Sequence, residues 1–210
     1  MIRALGKTAG RTRLFLAAAL GLRAPQRQYA PIAWGFIAGW LWLLTGLRHG
    51  DAASAVIMLL AALFLCGVLT AVCAIDSRYG IIPDNLVVAL GIGGLAEIVM
   101  AGLADPVQRA IEAVAVFVAA WLFRTAYHRV RGFHGLGFGD VKFAGAAVLW
   151  IGIAAAPWLL IGAVLSALIE LLILRGDGHR LDRTQAISFG PHLAISLWLI
   201  WIFDVLQSRL

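Results

Sequence analysis

Long apolar runs separated by short polar and basic stretches follow one another from about residue 30 to the C-terminus. Seven runs, 31–47, 52–75, 85–103, 107–127, 140–156, 157–174 and 187–206, are each about 17 to 24 residues long, near the twenty that a helix needs to cross a bilayer. Pro31, Pro106, Pro157 and Pro191 fall near the starts of runs, where a missing N–H costs little. The run at 52–75 is almost unbroken, whereas 107–127 has blurred ends because Arg109 and Glu112 enter it early and Arg124 leaves it late. The pattern predicts an all-α polytopic membrane protein. About six to seven transmembrane helices with short loops form one domain over 31–210, with no internal repeat.

Residues 1–30 read differently. Arg3, Lys7 and Arg11 recur every fourth residue, a basic stripe suited to anionic headgroups if helical. The apolar stretch 14–22 is too short to span. It has the look of a signal-peptide core, but Arg23 and Arg27 follow it with no clean small-x-small cleavage site. A retained basic cytoplasmic or interfacial arm is the expectation.

Composition agrees with the spans: 62% of the 210 residues are hydrophobic and 13% charged, against roughly 45–50% and about 25% in soluble domains. The net charge of +6 does not point to nucleic acid, because the basic residues cluster between apolar runs as topology determinants do. The two cysteines, Cys66 and Cys73, share one apolar run, about 10 Å apart on a helix and beyond disulfide reach. With no CxxC pair, a cysteine zinc site is not available.

Orientation follows from the loops. With the N-terminus inside, the cytoplasmic segments hold Arg3, Lys7, Arg11, Arg13, Arg23, Arg27, Arg78, Arg124, Arg129, Arg131, Arg175, Arg180 and Arg183, thirteen of the seventeen Lys and Arg. The opposite side keeps Arg48, Arg109 and Arg209, and Lys142 lies at a helix start. The N-terminus is therefore expected in the cytoplasm and the C-terminus outside.

That topology carries two acids to one place. Asp76 ends a run heading inward and Asp140 begins one heading outward, so both fall at the cytoplasmic boundary. A carboxylate entering a bilayer costs about 2.5 to 3.5 kcal/mol on insertion scales, which makes each a candidate functional group. Two carboxyls about 3 Å apart cannot both ionise; one takes a proton from water while the other, protonated, polarises a carbonyl. This is the chemistry of metal-free peptide hydrolysis, and no cofactor or metal is expected. In Gly137-Phe138-Gly139-Asp140, the glycines are expected to allow unusual dihedrals and close approach to Asp140. Lys142, two residues on, points away from Asp140 and is expected to reach a headgroup, a loop carbonyl or a substrate group, or simply to snorkel.

Three ordered motifs carry a resemblance: Asp76-Ser-Arg78-Tyr-Gly-Ile-Ile82-Pro83-Asp84, then Gly137-Phe-Gly139-Asp140-Val-Lys142, then Phe189-Gly190-Pro191. Together they resemble the type IV prepilin peptidase family of membrane GxGD aspartic proteases, over roughly residues 57–206. The resemblance implies cleavage of the short basic leader of prepilins or pseudopilins at the cytoplasmic face of the bacterial inner membrane. It makes Asp76 and Asp140 the catalytic pair, with Gly137, Gly139 and Lys142 supporting. It implies a short form without the CxxC-bearing cytoplasmic domain of larger members, so N-methyltransferase activity is not expected.

Bland roles are expected elsewhere. Asp84 caps the third helix or, failing that, supports the site; Glu97, Glu112, Glu170 and Asp204 are helix–helix partners or boundary groups. His128, His134 and His179 are loop residues, and His192, after Pro191, is expected to pack, with the edge of the site as its alternative place. A Lys142–Glu170 contact is possible by depth. Trp34, Trp40, Trp42, Trp150, Trp158, Trp198 and Trp201 read as an aromatic belt near span ends. The rival of another class is a small proton-coupled transporter or channel, disfavoured because the span centres are almost uncharged; a non-catalytic scaffold of a pilus or secretion assembly is a third reading. The basic face should repel a basic leader, so anionic lipid is an expected partner.

Overall fold

The computed structural model describes residues 30–46, 52–102, 104–132, 135–176 and 188–207. Residues 1–29 of the basic arm and His134 and His179 lie outside them. The described residues form seven α-helices and no strand: α1 (Ala30–Gly46), α2 (Ala52–Tyr79), α3 (Asp84–Ala101), α4 (Pro106–Arg131), α5 (Phe138–Ile151), α6 (Ala156–Gly176) and α7 (Gly190–Gln207). Four of these, α2, α3, α4 and α6, are long and apolar enough to cross a membrane. The chain is a multi-pass membrane protein. Its exterior matches lipid: Trp34, Val99, Val107 and Trp158 are each more than 60% exposed, a surface that water would not tolerate over this extent.

Helices α5 and α7 form the inside of the bundle. Helices α3 and α4 pack on α5, while α1, α2 and α6 pack on α7, and α5 and α7 touch each other. Helix α5 departs from the expected run at 140–156. It stops at Gly152, whose φ of 73° and ψ of 165° no longer fit a helix, and a short 3₁₀ turn, Ile153–Ala155, leads into α6. Its 14 residues rise only about 21 Å. Because Val141, Phe143, Ala144, Gly145 and Ala147–Ile151 are all buried, α5 meets other helices rather than lipid and need not match the bilayer thickness.

Helix ends follow local chemistry. Asp105 accepts from the Val107 amide at 2.8 Å and Pro106 opens α4, so the blurred run at 107–127 becomes a helix of 26 residues. At its far end Gly132 adopts a φ of 78° and closes the last turn. Helix α2 runs a turn beyond residue 75, to Tyr79, because Gly80, at a φ of 66°, donates its amide back to the Asp76 carbonyl at 2.7 Å. Asp76 thus lies within the last turn of α2 and does not end it.

The tryptophans correct the belt expectation. Trp150, Trp198 and Trp201 are buried in the core, and Trp40 packs against Trp198 with ring centroids 5.4 Å apart. Their N–H groups explain how polar rings are accommodated there: Trp150 donates to the Leu90 carbonyl at 2.8 Å, and Trp201 to both Glu97 carboxylate oxygens at 2.9 and 3.1 Å. Trp34 and Trp158 face outward, as expected. Cys66 and Cys73 are free thiols, Cys66 accepting from Trp40 Nε1 at 3.4 Å.

Candidate active site

The end of the bundle where α2, α4 and α6 finish and α3, α5 and α7 begin contains a cleft of about 600 Å3. Asp76 and Asp140 both line it, although 64 residues separate them in sequence. Asp76 is buried. Its Oδ2 accepts the Gly190 amide at 2.7 Å and the Ser188 hydroxyl, so the start of α7 grips the last turn of α2. A Cβ on residue 190 would stand 2.5 Å from that same Oδ2; only glycine brings the amide so near.

Asp140 lies in the first turn of α5, partly exposed, and lines the same cleft as Asp76. The glycines before it act by leaving space. A Cβ on Gly137 would come within 2.8 Å of Asp140 Oδ2, and one on Gly139 within 3.1 Å of Ile82 Cβ. The expectation of unusual dihedrals fails: Gly137 has φ −64° and ψ 147°, open to any residue, and Gly139 is helical. Arg124 of α4 holds the approach to α5, donating to the Leu136 carbonyl at 3.0 Å and lying over the Phe138 ring at 5.5 Å.

Lys142 reaches across to α3. Its Nζ pairs with Asp84 Oδ1 at 2.6 Å and sits 4.7 Å from the Phe138 ring centroid. Two expectations change with this. Asp84 makes no side-chain cap, since it is the first residue of α3 behind Pro83. Lys142 is not bound to Glu170, which meets His192 instead. Both Asp84 and Lys142 line the cleft.

The model of the type IV leader peptidase family matches residues 63–172, a stretch that includes both aspartates. The chain belongs to this family. It is 34% identical over 174 residues to a prepilin leader peptidase/N-methyltransferase of Dickeya chrysanthemi, covering 81% of this chain and 58% of that one. It is 35% identical over 146 residues to the protein of the same description from Aeromonas hydrophila, covering 68% and 49%. The chain therefore spans about half the length of these relatives. No solved structure matches it.

Within this family member, all five residues singled out from sequence, Asp76, Asp140, Gly137, Gly139 and Lys142, line one cleft. Ser188 was not singled out, and Ile82 was quoted within a motif but given no role. Ser188 precedes the Phe189-Gly190-Pro191 motif without any pattern of its own, and the 2.7 Å bond from Gly190 lies beyond the stretch matched by the family model. Of the acids given bland roles, Glu97 and Glu170 are interhelical partners as expected. Glu112 accepts from the Ile153 amide at 3.1 Å, at the opposite end of α5.

Proposed function

We propose that this chain is an intramembrane aspartic endopeptidase. It removes the short basic leader of type IV prepilins or related pseudopilins at the cytoplasmic face of the bacterial inner membrane. The observation that carries the reading is the presence of Asp76 and Asp140 in one cleft of a type IV leader peptidase family chain. Relatives described as prepilin leader peptidases support the substrate class. The proposal is confined to the peptidase step.

The scissile peptide lies between the two carboxyls. One carboxylate takes a proton from water as its oxygen attacks the carbonyl carbon, and the other, protonated, donates to the carbonyl oxygen. When the tetrahedral intermediate collapses, the C–N bond breaks and the leaving amine takes a proton from the dyad. Ser188 and the Gly190 amide fix Asp76 by bonds to Oδ2; Gly137 and Gly139 keep the approach to Asp140 free of side chains. The Lys142–Asp84 pair at the rim is suited to the substrate backbone or its charged leader.

Arg78 lines the cleft and Arg129 and Arg131 end α4 on the same side, so a basic leader needs anionic headgroups nearby. The test is cleavage of a prepilin by purified protein in liposomes, read by intact mass. Loss of the leader alone, insensitive to a metal chelator and faster in anionic than in zwitterionic lipid, is expected. No cleavage of any prepilin contradicts the reading. Equal rates in the two lipids remove the lipid's role, and chelator inhibition reversed by a metal removes the two-aspartate chemistry.

A further inference from the structure

Two apolar helices in a lipid environment have little to fix their axial register, because hydrocarbon packs against them as well as they pack against each other. Buried polar groups supply that register, since they are satisfied at one setting and stranded at others. Helices α6 and α7 carry such a set. His192, in the first turn of α7 and fully buried, places Nδ1 2.9 Å from Ser166 Oγ and Nε2 2.9 Å from Glu170 Oε2. The Nε2–Oε2 approach is an ion-pair distance, and neither atom has a hydrogen-bond partner among the described residues. One turn further along α7, Ser196 donates to the Leu159 carbonyl at 2.8 Å, and Gly162 leaves room for its hydroxyl. The two contacts form a polar seam between antiparallel helices.

The upper contact of that seam lies two residues from Gly190, about 3 Å along the helix axis. Over that distance a helix behaves as a rigid rod, so a shift at His192 appears almost undiminished at the Gly190 amide. The Gly190–Asp76 bond has little slack: 2.7 Å now, it is lost beyond about 3.5 Å. We propose that His192, seated by Ser166 and Glu170, is a positioning residue for Asp76, setting how far the start of α7 reaches toward α2. The inference rests on reading Asp76 as catalytic.

The experiment measures kcat and KM for prepilin cleavage in liposomes, with thermal stability recorded for each variant. His192→Ala is expected to lower kcat about 10- to 100-fold with KM within twofold. Glu170→Leu should behave alike, whereas Glu170→Gln, which keeps an acceptor for the imidazole, should retain at least half of kcat. Ser196→Ala is the control: it loosens the same helix pair further from Asp76 and should leave kcat within twofold. Should His192→Ala fail to fold, His192→Gln and Ser166→Ala, each removing one contact, are expected to lower kcat severalfold with KM unchanged. Wild-type kcat in these variants, or a loss in Ser196→Ala as large as theirs, overturns the inference. Asp76→Asn, run beside them, separates the two levels. If it is inactive while His192 variants are normal, only the positioning role falls; if it is active, the reading of Asp76 itself falls.

Discussion

Gly190 donates its backbone amide to Asp76 Oδ2 across 2.7 Å, tying the first turn of α7 to the last turn of α2. The bond spans 114 residues of sequence and lets a buried carboxylate keep a partner where lipid offers none. Because a Cβ at residue 190 would lie 2.5 Å from the same oxygen, Gly190→Ala should displace Asp76 and lower kcat at least 100-fold. Ser188→Ala removes one hydrogen bond worth about 1.5 to 3 kcal/mol when its acceptor is charged; a loss of roughly tenfold or more is expected. Steady-state rates check both, and a Gly190→Ala enzyme of normal rate contradicts the geometry.

Gly139 and Ile82 set the gap between the start of α5 and the segment joining α2 to α3. A Cβ on residue 139 would stand 3.1 Å from Ile82 Cβ and 3.4 Å from its amide nitrogen. Gly139→Ala should therefore cost activity at least tenfold. Ile82→Gly added to it should recover part of the loss by removing that Cβ, while the contact with the amide nitrogen keeps recovery incomplete. Full activity of Gly139→Ala shows that α5 tolerates the displacement.

For the Lys142–Asp84 pair, stability and activity should separate. The pair is short, at 2.6 Å, but Asp84 is 73% exposed, and exposed ion pairs contribute little to folding. Neither Lys142→Ala nor Asp84→Ala should move the melting temperature in detergent by more than about 2 °C, a shift worth about 0.5 to 1 kcal/mol at this chain length. Both should raise KM for prepilin severalfold, because the pair lines the cleft. Unchanged KM with lowered stability reverses the assignment.

How much of this was legible in the sequence varies with the kind of signal. Hydrophobic run length located all seven helices, because lipid punishes any interruption of a span. It misjudged α5, whose burial over most of its surface frees it from the bilayer thickness; apolar content alone does not distinguish a helix facing lipid from one facing other helices. The same ambiguity misplaced Trp150, Trp198 and Trp201, whose N–H groups find partners inside the bundle that no linear pattern announces. Asp76 and Asp140 were legible because charge at a lipid boundary is rare, and alternation of spans put both on one side. The Lys142–Asp84 pair was not: residue spacing excludes a Lys142–Asp140 contact but is silent about a neighbouring helix 58 positions away in sequence. His192 was expected to pack, and it does; its two polar partners on α6 emerge only from the register of α6 against α7.

The central claim is that Asp76 and Asp140 act as one catalytic pair in the cleft they share. Each should be replaced by Asn, which keeps the shape and removes the titrating group, and leader removal from a prepilin should be followed by intact mass with the folded state of each variant verified. Asp76→Asn and Asp140→Asn are each expected to reduce cleavage at least 1000-fold, and the double variant to be no slower than either single one, since the two act as a unit. A single variant that trims the leader at the wild-type rate contradicts the account.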